Sequence, residues 1–181
     1  MRWILVIIIL ALIVLLAGYT VWPIYDLYRI ASGVETRNPA ALHKLVDIPS
    51  LRASLTKQIL DVHRKQTDKS VALSERSERP AVGFGLAKIL HPERLHDVLA
   101  APFTANSFGS AWQIWLNSDY SGRTFYVTVP VDRPSDQRFR IRLRLVNWDW
   151  KLLALDLPES AKAHLVQELA KVMADPPKSP N

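Results

Sequence analysis

The residues from Trp3 to Tyr25, WILVIIILALIVLLAGYTVWPIY, carry no charge. A helix needs about 20 apolar residues to cross a hydrocarbon layer ~30 Å thick, and this run supplies them. Trp3 and Trp22 are nineteen positions apart, which is about 28 Å at ~1.5 Å per helical residue. Each indole then falls at an interface, where Trp collects. The alternative is a cleaved signal, whose apolar stretch would run for about 7–15 residues and close on a small-x-small site. Leu15-Leu16-Ala17 is a poor version of that site, and the apolar run continues past it. We therefore expect a retained anchor that meets the lipid bilayer through residues 3–22. Charge bias does not by itself favour an exported C-terminus, because Arg2 precedes the span while Arg29, Arg37 and Lys44 follow it. A span at the extreme N-terminus nevertheless acts as a signal-anchor, and a long following domain is translocated largely regardless of charge. The expected domain is extracytoplasmic.

Of the 181 residues, residues 1–25 form the expected transmembrane anchor and 175–181, DPPKSPN, a disordered tail. Residues 26–174 remain. About 150 residues suit a single domain with one core. There is no Cys, which excludes a disulfide framework, a thiolate metal site, a Cys nucleophile and a lipid-modified Cys. The net charge of +6 indicates anionic surroundings without choosing among nucleic acid, headgroup and acidic protein.

The pattern after the span is helical at first. Pro23 marks the exit from the membrane, and Ile24, Leu27 and Ile30 recur at helical spacing up to Gly33. Asn38 is a natural N-cap for a helix with Pro39 at its first position. The next helix is expected from Pro49, with Leu51, Leu55, Ile59 and Val62 on one stripe. Asp47 lies just ahead, able to accept from the free N–H groups of Ser50 or Leu51 and to meet the positive end of the helix dipole. Arg52 is expected to join it in a salt bridge. QTDKSVALSERSERP reads as a loop, LAKILHPERLHDVLAA as two short helices with the second starting at Pro92, and PFTANSFGS as a loop. From Ala111 the period changes to two. FYVTVPV and RFRIRLRL alternate, WKLLALDLP follows with a phase slip near Leu153–Ala154, and Glu159–Ala174 is an amphipathic helix. The expected class is α+β: an N-terminal transmembrane helix, several short helices, a three- or four-stranded antiparallel meander and a C-terminal helix.

The segment WPIYDLYRIASGVETRNPAALHKLVDIPSLRASLTKQI resembles the bacterial domain-of-unknown-function family 2939. The shared pattern is a Tyr-rich first helix (Pro23, Tyr25, Leu27, Tyr28), an Ala-Ala-Leu helix (Ala40–Leu42) and a block through Val46, Asp47, Pro49, Leu51, Arg52, Ser54 and Leu55. HPERLHDVL and WKLLALDLP are similar to its later motifs. Ile48 stands where the family has an aromatic residue, His91 where it has Thr, and a further helix follows Pro158. The resemblance implies a membrane-tethered, uncharacterised protein. It carries over no catalytic or binding residue. With the orientation above, the expected location is the bacterial inner (cytoplasmic) membrane, with the domain on the periplasmic side.

Asp47 reads as helix punctuation, since no specific second acid or His accompanies it. His43, His63, His91, His96 and His164 are scattered, and His91 and His96 are five apart across a Pro, so no metal site is expected. There is no GxSxG, P-loop or dinucleotide turn, and no cofactor is expected. Trp112, Trp115, Trp148 and Trp150 read as caps on a small sheet's core, with Trp148 and Trp150 as the alternative stacking platform for a ligand. Arg138, Arg140, Arg142 and Arg144 form a ladder on one strand face. It reads as a solvated face that keeps the sheet from aggregating, or as a surface for anionic headgroups or an acidic envelope protein. Nucleic acid is not expected, because the tether and the unbroken Arg–apolar alternation match no reading motif. The leading expectation is a tethered domain with a binding or scaffolding role and no enzyme activity. The alternative is a small-ligand-binding or hydrolytic domain with a pocket between the helices and a curved sheet.

Overall fold

The computed structural model describes residues 2–66, 85–87, 90–91, 95–103 and 107–174. Its first element, α1, is one helix over Arg2–Glu35 with Pro23 inside it. Proline lacks an N–H, so the carbonyl of Tyr19 loses its usual helical partner, yet the helix carries on. The two halves live in different surroundings. Residues 2–18 are exposed along their whole length, and the same helix buries Ile24, Leu27, Ile30 and Val34 in the domain core. The apolar segment and the domain are thus joined by continuous helix, with no linker between them.

Helix α2 is Pro39–Leu45, and the Asn38 side chain accepts the N–H of Ala41 at 3.1 Å. Helix α3 is Ile48–Gln66. It starts one residue ahead of Pro49, so Asp47 is itself the cap. Its Oδ1 accepts the N–H of Ser50 at 3.1 Å and its carbonyl accepts that of Leu51 at 2.9 Å. Leu51, Leu55 and Ile59 are buried as the stripe requires, and Val62 is half-buried. The expected pairing of Asp47 with Arg52 does not form. Five residues along an α-helix is about 140° round the axis, so the cap and the guanidinium face different ways. Helix α4 is Leu95–Ala100. Most of the expected loop (67–80), the start of the second short helix (92–94) and the tail (175–181) lie outside the described residues.

The chain departs from expectation at Ala111. Residues Ala111–Leu116 form a helix, α5, rather than starting the strands. Ser110 and Gln113 make a reciprocal capping box: the Ser hydroxyl accepts from Gln113 N–H, and the Gln side chain accepts from Ser110 N–H. Two N-terminal donors are satisfied at once, and the alternation beyond is overridden for one and a half turns.

Strands β1 (Ser118–Ser121), β2 (Thr124–Val129), β3 (Phe139–Val146) and β4 (Asp149–Asp156) form an antiparallel meander in sequence order. Leu143 pairs with Leu152 but Arg142 with Ala154, so Leu153 is the extra residue of a bulge, where the phase slip lay. Phe125, Val127, Ile141, Leu143, Trp150 and Leu152 fill the inner face and pack with α1 to α3 in one apolar core. The free edge of β4 is partly closed. Val46 bridges to Leu152, and the N–H of Asp47 donates to the Leu152 carbonyl at 2.9 Å. Gln58 of α3 acts as a side-chain strand, donating to the Leu155 carbonyl at 2.8 Å and accepting the Leu157 N–H at 2.9 Å. Helix α6, Glu159–Ala174, lies against α3 and the short 3-10 turn Ser135–Gln137. The class is α+β.

Candidate functional site

Strand alternation sends Phe139, Ile141 and Leu143 inward and Arg140, Arg142 and Arg144 to the outer face, where all three are exposed. Arg138 lies just ahead of the strand, half-buried, with its Nε donating to the Arg133 carbonyl. The three on-strand arginines face Thr128, Tyr126 and Thr124 on β2. The Tyr126 ring receives two of them, with the Arg140 and Arg142 guanidinium carbons 5.0 and 5.5 Å from its centroid. A ring face holds these cations in place without neutralising them. On β4, Lys151 stands opposite Arg144 and Asp156 opposite Arg140. Among the described residues no carboxylate is within ion-pair distance of these arginines.

Beside this face, between α3 and the outer side of β3 and β4, is an open cleft of about 500 Å³. Ser54, Lys57, Asp61, Arg142 and Asp156 are among its lining residues, a mixture of both charges. The inner face, where a pocket between helices and sheet was the alternative expectation, is packed with core side chains instead. Among the described residues no group of three His, Asp or Glu is placed to hold a metal.

The four tryptophans separate. Trp150 is 0% exposed and belongs to the core, so its ring has no face to offer a ligand. Trp148 is 77% exposed at the β3–β4 turn. Trp112 and Trp115 of α5 stack on each other, centroids 4.9 Å apart, and both are exposed. The core-capping role expected of the set is therefore filled by Trp150 alone. The outward pair follows from α5: a short helix puts positions 112 and 115 on one side, and that side is not the one carrying buried Ile114.

Asp26 is the residue that the sequence patterns passed over. It is 0% exposed, its Oδ1 pairs with Arg29 at 2.8 Å, and its Oδ2 accepts the backbone N–H of Trp150 at 3.2 Å. The signal was an acid immediately after the uncharged run, with a base three residues on. It ties α1 to the beginning of β4.

The end of the sheet at which α1 emerges is built from both hairpin tips. The Tyr19 hydroxyl donates to the Gly122 carbonyl at 3.1 Å, and the Tyr120 hydroxyl donates to the Thr20 carbonyl. Burial, and then the neighbouring Tyr19, push the Tyr120 phenol up to about 12. Trp22 stacks on Trp148, centroids 6.2 Å apart and 21° between planes. A pocket of about 280 Å³ lies here, lined by Arg123, Leu145, Asn147 and Trp148.

The family described as protein of unknown function DUF2939 matches residues 12–102, half of the chain. The chain belongs to this family. The match takes in α1 from Leu12 onward, α2, α3 and α4, including the Asp47 cap, and ends before the sheet. The Arg face and both hairpin tips therefore lie beyond it, as does WKLLALDLP. No curated protein and no solved structure matches the chain.

Proposed function

We propose that this is a single-pass protein of the bacterial inner membrane whose domain rests on the bilayer, on the periplasmic side, and binds or scaffolds an acidic envelope protein through its Arg face. The observation that carries the anchor is the division of α1. Residues 3–18 expose an unbroken apolar surface, while the next turns of the same helix are core. An apolar surface of that extent is not tolerated in water, and a bilayer would cover it.

The strand geometry favours a protein partner over lipid for most of the ladder. Trp22 touches Trp148 at the hairpin tip, and Asp26 touches the N–H of Trp150, two residues further on. Strand β4 and α1 thus leave the bilayer end in the same direction. Arg144 is nearest the β3–β4 tip, and Arg138 lies about 20 Å further along at ~3.3–3.4 Å per residue. Headgroup charge is screened over about 8–10 Å, so lipid reaches the Arg144 end and not the Arg138 end. Exposed, ring-supported guanidiniums with no carboxylate partner among the described residues are suited to carboxylates on another protein.

The test uses the full chain in its native membrane. It should stay in the pellet after a high-pH carbonate wash, and a C-terminal reporter should be active outside the cytoplasm. A photo-crosslinker at position 128, which faces Arg140 from β2, should capture an acidic protein, and replacing Arg138, Arg140, Arg142 and Arg144 by Gln should abolish capture without lowering the melting temperature. Equal capture by the Gln variant would remove the Arg face from the proposal.

The outer cleft carries a second reading: a small polar ligand held by Lys57 and Asp61 of α3 on one side and Arg142 and Asp156 of the sheet on the other. Its ~500 Å³ lies within the usual range for ligand sites, about 300–1,000 Å³. A ligand that raises the melting temperature of the parent, and not of an Arg142→Gln, Asp156→Asn variant, would support it.

A further inference from the structure

The two hairpin tips beside α1 have an unusual build. The β1–β2 turn is Gly122-Arg123, with Gly122 at φ 56°. The β3–β4 turn is Asn147-Trp148, with φ 52° and 66°. Two left-handed residues in a two-residue hairpin loop is the type I′ pattern, whose second position ordinarily takes Gly. A Trp there bears a steric cost that Gly would not. Its ring is 77% exposed and lies against Trp22. The stack on Trp22 offsets part of that cost, and the ring face left exposed suits the headgroup level.

The helix fixes the level. If Trp3 and Trp22 mark the two interfaces, Tyr19 to Trp22 lie within about 5 Å of the outer one at ~1.5 Å per residue. These residues contact Gly122, Tyr120 and Trp148. The pocket lined by Arg123, Leu145, Asn147 and Trp148 is therefore at headgroup height. Arg123 is exposed and has no carboxylate within ion-pair distance among the described residues. Leu145 supplies an apolar wall, and Asn147 an amide. On the opposite face of the same strand ends, Arg144 and Lys151 stand across from each other, with Asp149 as the acid at this tip. Among the described residues, Arg123, Arg144 and Lys151 against Asp149 leave the tip positive, the nearby Asp26 being paired with Arg29.

We propose that the pocket between the hairpin tips holds the phosphate of an anionic phospholipid headgroup, with Arg123 pairing the phosphate and Trp148 covering the glycerol and upper acyl chain. The proposal rests on the membrane-anchored reading above. It makes the lipid an orienting clamp: a rigid helix sets the height of the domain, and a headgroup at the tips sets its rotation.

The experiment titrates the detergent-solubilised full chain with dioleoyl phosphatidylglycerol, dioleoyl phosphatidylcholine or inorganic phosphate, reading bound species by native mass spectrometry. One phosphatidylglycerol per chain should be retained, with phosphatidylcholine at least fivefold weaker and inorganic phosphate unbound at the same concentration. Arg123→Gln should weaken phosphatidylglycerol about fivefold, which corresponds to ~1 kcal/mol for one basic residue at an anionic surface. Arg140→Gln, at the other part of the ladder, should leave it unchanged. Both residues are exposed, and unchanged melting of both variants confirms that folding is not what is read. Equal retention by Arg123→Gln, equal binding of phosphatidylcholine, or competition by inorganic phosphate would each overturn the headgroup site. A carbonate wash of the parent separates the two failures. Release into the supernatant overturns the anchor and the headgroup site together, whereas retention with unaltered lipid binding in Arg123→Gln overturns the pocket alone.

Discussion

Asp47 and Asp26 are carboxylates with backbone N–H partners, and they differ in how far water can replace the lost bond. Asp47 is half-buried at a helix start, so Asp47→Ala exposes donors that solvent can partly satisfy. The expected loss is about 0.5–2 kcal/mol, and less for Asp47→Asn. Urea denaturation of the detergent-solubilised chain would show it. Asp26 has no such relief. Asp26→Ala strands the Trp150 N–H in the core, at a cost of about 1–3 kcal/mol for the unsatisfied group, and removes the partner of Arg29. Asp26→Asn keeps an acceptor and should cost less than Asp26→Ala; equal costs would mean that the charge, and not the hydrogen bond, ties α1 to β4. Tyr120 gives a pH dependence of definite sign. Its folded pKa, about 12, is above the ordinary value of 10.0, so the folded state holds the proton more tightly. The stability difference is full below pH 10 and is lost as pH rises from there through about 12. A tyrosinate absorbance titration should show one late phenol, missing in Tyr120→Phe, and that variant should lose less stability over the same alkaline window.

At the scale of elements, the least obvious device is the Gln58 clamp on the outer edge of the sheet. The amide offers a donor to Leu155 and an acceptor to Leu157 at the end of β4, as a neighbouring strand would. Gln58→Glu keeps the shape but cannot donate, and Gln58→Ala loses both bonds. Amide hydrogen exchange at Leu157 should accelerate strongly in Gln58→Ala and only mildly in Gln58→Glu, because the acceptor survives. Equal protection in all three forms would show that the strand end is held by packing alone. The same device explains what sequence periodicity could and could not deliver. Strand β3 is legible because Arg–apolar alternation is a statement about faces, and the β4 bulge shows as a break in that alternation. Helix α5 was missed because its signal is the Ser110–Gln113 capping box and not its apolar pattern. The Gln58 clamp joins residues 97 to 99 positions apart, and no local pattern encodes such a pairing. The Arg ladder was visible as a set of exposed charges. That one end lies beside the apolar half of α1 and the other about 20 Å away at ~3.3–3.4 Å per residue depends on which hairpin tip meets α1, which is a tertiary fact.

For the whole molecule, the decisive feature is that the apolar N-terminal segment and the core share one helix. The uncharged run announced a span, and the helical spacing of Ile24, Leu27 and Ile30 announced an amphipathic segment; each was legible on its own. Their fusion into a single rigid element through Pro23 was not, since a proline after an apolar run equally marks a break. The fusion has a consequence for truncation. Ile24, Leu27, Ile30 and Val34 are all buried, and burying one such side chain contributes about 1.5–3 kcal/mol. Four contribute roughly 6–12 kcal/mol, comparable to the ~5–15 kcal/mol that holds a whole domain together. A fragment of residues 36–181 should therefore fail to fold, showing no cooperative melt by near-ultraviolet circular dichroism. A fragment of residues 19–181 keeps these residues together with the Tyr19–Gly122 and Tyr120–Thr20 hydrogen bonds, and should melt cooperatively in mild detergent. Cooperative folding of 36–181 would show that the second half of α1 is only laid on the domain, and the rigid coupling of the domain to the apolar segment would go with it. Failure of 19–181 alongside a stable full chain would show instead that the membrane segment itself supports the fold.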